Sequence, residues 1–354
     1  MQIIIVNNTK NKSSRWRLFY LKISKIWIIR ISIHLYQILT MKISVVCGSR
    51  ARDLTLLLKF LKMLDLQTFK DFDVNIVCDR NFTEKEELDF FSFFEKQNLE
   101  IIKHTSFFTN NNSEFNPNHR WWASYVRNFG IKKAKGEFIQ LFDDDNEVDS
   151  KFLENCLKKR EELTEKTKSE CVILPSLYYR DTGQIQNQWF SYFNYRQSRP
   201  VLHLLNWKRK AQIQMFSWNW IFSKSSTIGK VKYDEKIARI SEDLDYTLSL
   251  HEQWIQLRVF SDLKVSHHER DKTRLEQARI WSYSQAKQKS RNRFLFTKKH
   301  WNKKQLFQFY ICWLPGCILR LSTKAILFWG KDRFKIIKWL LAGVKEWYKL
   351  IHKK

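Results

Sequence analysis

Three consecutive aspartates, Asp143, Asp144 and Asp145, directly follow the apolar run at residues 138–142. Adjacent carboxylates repel one another, so holding them at the end of a buried strand is unfavourable unless a cation neutralises them. Oxygen ligands suit Mg²⁺ or Mn²⁺, which takes one or two carboxylates and completes its coordination with phosphate oxygens. The spacing therefore predicts a divalent metal site. The alternative is an acidic turn that caps the helix behind it.

The elements that must position these aspartates alternate between short buried strands and amphipathic helices. This alternation predicts a mostly parallel sheet covered by helices on both faces. In such sheets ligands bind at the carboxyl ends of the strands, so we expect Asp79 and the three aspartates to share one crevice. The predicted strands are residues 43–47, 74–78, 99–103, 137–142 and 171–177, the helices are 54–66, 84–97, 122–134 and 151–168, and residues 105–119 are a predicted loop.

The charge of the chain is concentrated at its ends. The sequence has 63 Lys and Arg against 36 Asp and Glu, a net charge of +27. Residues 1–40 hold seven basic and no acidic side chains, and residues 271–354 hold 21 basic and four acidic ones. The nearly neutral middle is long and apolar enough for a buried core, which excludes disorder as its main state. The six cysteines form no CxxC pair, which argues against a disulfide scaffold or zinc ribbon and favours reduced, cytosolic thiols.

Both ends carry features of a membrane surface. Residues 1–40 precede a second methionine, Met41, so either translation starts there or the segment is a basic surface arm. Residues 335–354 have the pattern of a basic amphipathic helix, which either lies on an anionic leaflet or packs on the core. Two long apolar stretches, residues 16–39 and 307–328, are both interrupted by charged residues, so we expect no membrane span. We expect a basic extension at 1–40, a catalytic domain at 41–270 and a basic, aromatic-rich, membrane-associating region at 271–354.

The stretch leading into the aspartates carries a family resemblance. Residues 126–145 resemble the signature of family 2 glycosyltransferases, in which an Arg-Asn-x-Gly-Ile helix and an Ala-Lys-Gly turn lead into a strand and a DxD motif. Residues 240–246, Ile-Ser-Glu-Asp-Leu-Asp-Tyr, resemble that family's Glu-Asp motif at the start of a helix. The resemblance covers residues 42–270, and it is to bacterial sugar transferases of polysaccharide assembly. It implies an α/β GT-A fold with a Rossmann-like, mostly parallel sheet, followed here by C-terminal amphipathic helices, and an inverting transfer from a nucleotide sugar.

The resemblance also assigns residues to the donor and to the metal. It implies donor contacts for Asp79, Arg127, Asn128, Asp143 and Asp144. The Arg127 guanidinium suits phosphate, although a salt bridge within the protein is its alternative role. Mn²⁺ or Mg²⁺ is expected at Asp145 and Asp143, where it stabilises the leaving diphosphate. His267 follows at a predicted strand end and is a third candidate ligand, with a surface or core histidine as the alternative.

Asp243 and Glu242 are the predicted catalytic pair. Asp243 is expected to act as the general base that takes the proton of the acceptor hydroxyl, and Glu242 to orient the site or the acceptor. The alternative is helix capping, because the helix dipole favours acidic residues in a first turn.

The predicted acceptor follows from a weaker resemblance. Residues 291–301, which contain Arg-Asn-Arg and Lys-Lys-His, resemble a segment of family members that act on polyprenyl-diphosphate-linked sugars. We therefore expect a polyprenyl-diphosphate-linked or polysaccharide acceptor and a peripheral location at the cytoplasmic face of the membrane. The aromatic residues between 189 and 220 suit a sugar, a lipid tail, a membrane-facing patch or the core. The alternatives are a nucleic-acid-binding protein, although no nucleic-acid motif is present, and an inactive scaffold of polysaccharide assembly.

Overall fold

The computed structural model describes residues 41–109 except 50, 52 and 81, residues 123–179 except 167 and 168, residues 189–194, 199–202, 210–216 except 214, 220–237, 242–267 and 295–302, and a few isolated positions. The chain divides into two units, Met1–Met41 and Lys42–Lys354, and the elements below belong to the second. The predicted basic extension at 1–40 and amphipathic helix at 335–354 lie outside the described residues, apart from isolated positions in the latter. No helix among the described residues is long and apolar enough to cross a bilayer.

The described elements alternate between strand and helix in the first half. The strands are β1 (Ile43–Ser49), β2 (Phe72–Cys78), β3 (Thr105–Phe108), β4 (Phe138–Asp143), β5 (Asn146–Val148), β6 (Cys171–Tyr179), β7 (Trp189–Asn194), β8 (Arg199–Leu202), β9 (Lys210–Ile213), β10 (Met215–Phe216), β11 (Phe222–Lys224) and β12 (Gln256–His267). The helices are α1 (Leu54–Asp65), α2 (Glu84–Glu95), α3 (Ala123–Lys133), α4 (Phe152–Lys166), α5 (Ser225–Ile228) and α6 (Glu242–Glu252).

The main sheet is mostly parallel. Its order is β3-β2-β1-β4-β11-β6-β12-β5, and β9 also pairs with β12. Strands β1 to β4 are parallel to one another, as are β6 and β12, whereas β11, β5 and β9 run antiparallel to their neighbours. Strands β10, β7 and β8 form a separate small sheet. The predicted fold class is confirmed in this sheet.

Helices cover both faces of the sheet, as β1 illustrates. Its side chains alternate between two buried clusters, because successive residues of a strand point to opposite faces. Val45 belongs to the cluster that contains Phe60 of α1 and Phe152 of α4. Val46 belongs to the cluster that contains Tyr246 of α6. The four described cysteines, at positions 47, 78, 156 and 171, are buried in the first of these clusters.

One predicted strand is wrong. Residues Glu100–His104 form a 3₁₀ helix, and β3 follows at Thr105–Phe108, inside the predicted loop. The apolar pair Ile101 and Ile102 imitates a buried strand in sequence. In the structure the backbone N–H of Ile101 instead donates to Asp65 Oδ1 at 2.8 Å, which ties this turn to the end of α1. Pairing with β2 begins at Thr105, opposite Val74.

Candidate active site

The carboxyl ends of β1, β2 and β4 form the floor of the candidate site. The parallel register places Ser49 of β1 beside Cys78 of β2, and Gly48 beside Asp143 of β4. The backbone N–H of Asp79 donates to the carbonyl oxygen of Ser49 at 2.6 Å. Asp79 and the three aspartates therefore lie at the carboxyl ends of β2 and β4, the two strands that flank β1.

A buried amide shapes the acidic turn between β4 and β5. The side-chain oxygen of Asn146 accepts a hydrogen bond from the backbone N–H of Asp143 at 2.8 Å, and its amide nitrogen donates to Asp145 Oδ1 at 3.2 Å. The indole N–H of Trp220 donates to the same Asn146 oxygen. Both Asn146 and Trp220 are fully buried. Within the aromatic stretch, Trp220 thus belongs to the core and supports the acidic turn, and the side chains of residues 189–219 lie outside the described residues.

The pKa of Asp144 is raised above the ordinary value of an aspartate. Burial, together with the negative charges of Asp145 and Asp143, raises its pKa to about 6. A hydrogen bond from the hydroxyl of Ser49, at 2.5 Å from Asp144 Oδ2, opposes that rise. A cation at this turn would relieve the repulsion that raises the pKa.

The acidic turn fits a cation that is held partly by a phosphate. Among the described side chains no three His, Cys, Asp or Glu residues form a complete metal cage. One or two carboxylates with phosphate oxygens are the usual ligands of Mg²⁺, and Asp143 and Asp145 can supply them. The backbone of His267 pairs with Asn146 in the sheet, so β12 ends beside this turn. The side chain of His267 lies outside the described residues, and its role as a ligand stays a prediction.

Arg127 of α3 joins the acidic turn to the start of α6. Its guanidinium donates to Asp143 Oδ1 at 2.9 Å and to Glu242 Oε1 at 3.4 Å, and the side chain is buried. It also lies 5.7 Å from the ring centroid of Tyr233. Burial alone lowers the pKa of Arg127, but the charges of Asp143, Tyr233 and Glu242 outweigh burial and raise it. Arg127 is therefore a fixed cation between two carboxylates, and a contact with donor phosphates stays a prediction.

The predicted base has a strongly perturbed pKa. Asp243 is half-buried in the first turn of α6, beside the buried Glu242. Burial and the charge of Glu242 raise the pKa of Asp243 to about 8, while Arg127 and a backbone hydrogen bond oppose the rise. A base with a pKa near the working pH combines the deprotonated form with a strong driving force for proton transfer. The two predicted clusters thus share one cation, Arg127, and lie in one site.

The remaining motif residues hold the elements together. Asn128 donates to the carbonyl oxygen of Tyr233 at 2.9 Å and to Glu235 Oε1 at 3.0 Å, and accepts from the Tyr233 N–H at 2.9 Å. A Cβ at Gly130 would lie 2.4 Å from Val46, so only glycine lets α3 pack this closely on β1. The Arg-Asn-x-Gly pattern therefore has a packing role in this structure, and donor binding by Asn128 stays a prediction.

A second ionic cluster lies at α6, and the sequence did not indicate it. Asp245 is completely buried and is contacted by Lys299 Nζ at 2.7 Å and His300 Nε2 at 2.8 Å. The other ring nitrogen of His300 lies 2.9 Å from Glu252, at the end of the same helix. Burial lowers the pKa of His300, but its bonds to Asp245 and Glu252 outweigh burial and raise it. Two basic groups of the predicted acceptor segment thus pair with carboxylates of α6.

Sequence reasoning missed three residues of the site. Ser49 is the last residue of β1, and a hydroxyl at a strand end that neighbours the aspartates is the signal that could have found it. Asn146 follows the aspartates directly, and an Asn behind an acidic run is typical of a turn that its side chain closes. Asp245 stands inside the quoted Glu-Asp motif, but its partners lie 54 and 55 positions away.

Comparisons with known proteins agree with the family resemblance. Residues 99–223 match the model of glycosyl transferase family 2, a segment that contains α3, the acidic turn and β11 up to Ser223. The predicted family resemblance is therefore confirmed over residues 99–223, and the predicted α/β class with a mostly parallel sheet is confirmed by the strand order. No curated protein sequence matches the chain.

Solved structures of one protein, S. aureus TarS, are among those to which the chain is similar. They include S. aureus TarS residues 1–349, at 16% identity and a TM-score of 0.44, over 86% of this chain and 88% of that one. The same fragment in complex with UDP-GlcNAc matches at 15% identity with equal coverage and TM-score. The longer TarS structure matches at 16% identity and a TM-score of 0.43, over 87% of this chain and 54% of that one.

Proposed function

We propose that this glycosyltransferase, matched to family 2 over residues 99–223, is a metal-dependent, inverting enzyme that moves a sugar from a nucleoside diphosphate to an acceptor hydroxyl. The observation that carries the proposal is the bridge made by Arg127, which contacts Asp143 at 2.9 Å and Glu242 at 3.4 Å. Its guanidinium joins a carboxylate cluster suited to a cation to the first turn of α6, where Asp243, the carboxylate suited to proton transfer, follows Glu242. An inverting transfer, in which the acceptor hydroxyl displaces the nucleoside diphosphate directly, needs the cation and the base on either side of the same sugar.

The protein's own groups divide the work between them. Asp143 and Asp145 would hold the cation, and Asp79 lies at the same edge of the sheet, where the nucleotide is expected. Asp243 takes the proton of the attacking hydroxyl, and Glu242 is fixed beside it by Arg127. When bound, the divalent cation neutralises charge on the leaving diphosphate.

We propose that the acceptor is a polyprenyl-diphosphate-linked or polysaccharide chain of cell-surface glycan synthesis, reached at the cytoplasmic face of the membrane. The support is the charge pattern of the sequence, with 21 basic and four acidic residues between 271 and 354. Each basic residue near an anionic leaflet contributes about 1 kcal/mol of attraction. Removal of residues 331–354 is therefore expected to release the protein from vesicles that contain phosphatidylserine, in a sedimentation assay. Unchanged sedimentation would remove the surface helix from the proposal.

A panel of nucleoside diphosphate sugars tests the activity. Melting temperature is measured with each donor, with and without Mn²⁺, followed by turnover of the stabilising donors with a lipid-linked acceptor. Ligand stabilisation grows with the ratio of free ligand to dissociation constant, so a genuine donor raises the melting temperature in a Mn²⁺-dependent way. Stabilisation without hydrolysis or transfer would favour the inactive scaffold instead. Absence of stabilisation by every donor would contradict the proposal.

A further inference from the structure

The first turn of α6 is held in place through Asp245, which lies on the side of the helix opposite to Asp243, the predicted base. Asp245 lies two residues after Asp243, and two positions along an α-helix are about 200° apart around its axis. Asp245 has no exposed surface, and its carboxylate is contacted by Lys299 and His300. The contacts of Asp245 therefore fix the rotation of the first helical turn, and with it the position of Asp243.

Burial makes this contact indispensable to the helix start. A carboxylate without access to water requires charged or hydrogen-bonding partners, and removing one partner leaves buried charge uncompensated. The partners of Asp245 come from the helical turn at residues 295–300, far along the chain. The same turn also reaches the other end of α6, where His300 contacts Glu252 at 2.9 Å. Residues 295–300 thus contact α6 at both its first and its last turn.

We propose that Lys299 and His300 are positioning residues for the general base of the transfer reaction. They contact α6 at Asp245 and Glu252, and they hold its first turn where Asp243 meets the acceptor hydroxyl. The inference rests on the proposed function for its catalytic consequence. Misplacement of a reacting group by about 1 Å can lower the rate by about 100-fold, so a loosened first turn is expected to reduce turnover.

Lys299→Ala is the main test, because the Lys299 side chain is one-third exposed and its loss leaves the buried His300 in place. We expect kcat to fall by about 10-fold to 100-fold with little change in KM for the donor, since the acidic turn is untouched. Lys299→Arg keeps the charge and is expected to restore most of kcat. Lys103→Ala makes the same chemical change in an exposed ion pair with Glu100, away from the site, and is expected to keep full activity. Equal losses in Lys103→Ala and Lys299→Ala would overturn the proposal.

A double-mutant cycle separates positioning from a general structural role. If Lys299 acts through Asp243, Lys299→Ala has no further effect on the residual turnover of Asp243→Asn. A loss of the same size in both backgrounds would overturn the proposal, because Lys299 would then act on another part of the reaction.

Hydrogen exchange tests whether Lys299 stabilises α6, without any measurement of activity. We expect Lys299→Ala to speed exchange of the α6 amides at least several-fold relative to the Lys103→Ala control, since local opening governs exchange. Unchanged exchange in α6 would overturn the positioning role. If the unmodified protein transfers no sugar from any donor, the proposed function fails on its own, while the exchange result still decides whether Lys299 holds α6.

Discussion

Two acid-rich segments of the site differ in how their charge is neutralised. In the turn after β4, Asp144 accepts its hydrogen bond from a neutral hydroxyl, that of Ser49, and burial and the neighbouring carboxylates raise its pKa. At the start of α6, Asp245 is fully buried and meets two basic side chains, Lys299 and His300. The turn concentrates negative charge at the carboxyl ends of the strands, whereas the helix start is met by two basic side chains from residues 295–300.

This difference separates a binding role from a proton-transfer role. Repulsion among adjacent carboxylates is relieved by a cation from solution, so the turn is suited to bind one. The helix start is organised around Asp243, whose pKa of about 8 comes from burial and from Glu242. Arg127 contacts both segments and is the group through which one can influence the other.

Asp243→Asn is expected to have the largest effect on activity. The amide cannot accept the proton of the acceptor hydroxyl, so kcat should fall by about 100-fold to 10,000-fold. Donor binding depends on the other segment and should change little in the Mn²⁺-dependent thermal-shift assay. Asp262→Asn makes the same chemical change at an exposed carboxylate that pairs with Lys159, and it should leave both properties intact. Normal turnover by Asp243→Asn would show that the base lies elsewhere.

Arg127→Met removes the link between the two segments. It leaves Glu242 buried without its cation, and loss of one partner of a buried ion pair destabilises a protein by about 3–5 kcal/mol. We expect a decrease near the lower figure in the free energy of unfolding, measured by urea denaturation at pH 7, because Asp143 is partly exposed. Adding Glu242→Gln removes the orphaned charge and should recover part of the loss. If the double variant is no more stable than Arg127→Met, the bridge to Glu242 contributes little.

The pH dependence of turnover distinguishes the two segments further. Because Asp243 must be deprotonated and has a pKa of about 8, kcat at saturating donor and Mn²⁺ should rise about tenfold per pH unit below pH 8 and level off above it. Stability should change in the opposite direction. A carboxyl whose pKa is higher in the folded state binds its proton more tightly there, so its stabilising contribution is complete below its unfolded pKa of about 4 and is lost as pH rises through 8. Between pH 6 and 8, Asp243→Asn should lack both the rise in kcat and the loss of stability, and a flat kcat profile over that range in the unmodified enzyme would contradict the assignment.

Sequence predicted the parts of the site that depend on local pattern. The strand-end positions of Asp79 and Asp143 follow from the alternation of buried strands and amphipathic helices, and the structure has those elements within a few residues of the predicted bounds. The sequence pattern gave the wrong element at Ile101, because a short apolar run fits a strand as well as a 3₁₀ helix. It also did not predict the antiparallel strand β11, which lies between β4 and β6 in the sheet. The sequence did not predict the contact between Asp245 and His300, because contacts between residues 55 positions apart produce no periodic pattern in the sequence.

Ser49→Ala is expected to have the smallest effect and to act on the turn alone. The Ser49 hydroxyl opposes the rise in the pKa of Asp144 and orders its carboxylate for the acidic turn. A hydrogen bond of this kind contributes about 0.5–1.5 kcal/mol, so the apparent dissociation constant for Mn²⁺ should rise about 2-fold to 10-fold while kcat at saturating Mn²⁺ stays unchanged. Ser44→Ala is the matched control on the same strand, since that hydroxyl accepts hydrogen bonds from the Lys135 and Gly136 N–H groups and should affect stability rather than Mn²⁺ affinity. An equal loss of Mn²⁺ affinity in both variants would mean that β1 as a whole, and not the contact between Ser49 and Asp144, prepares the turn for its cation.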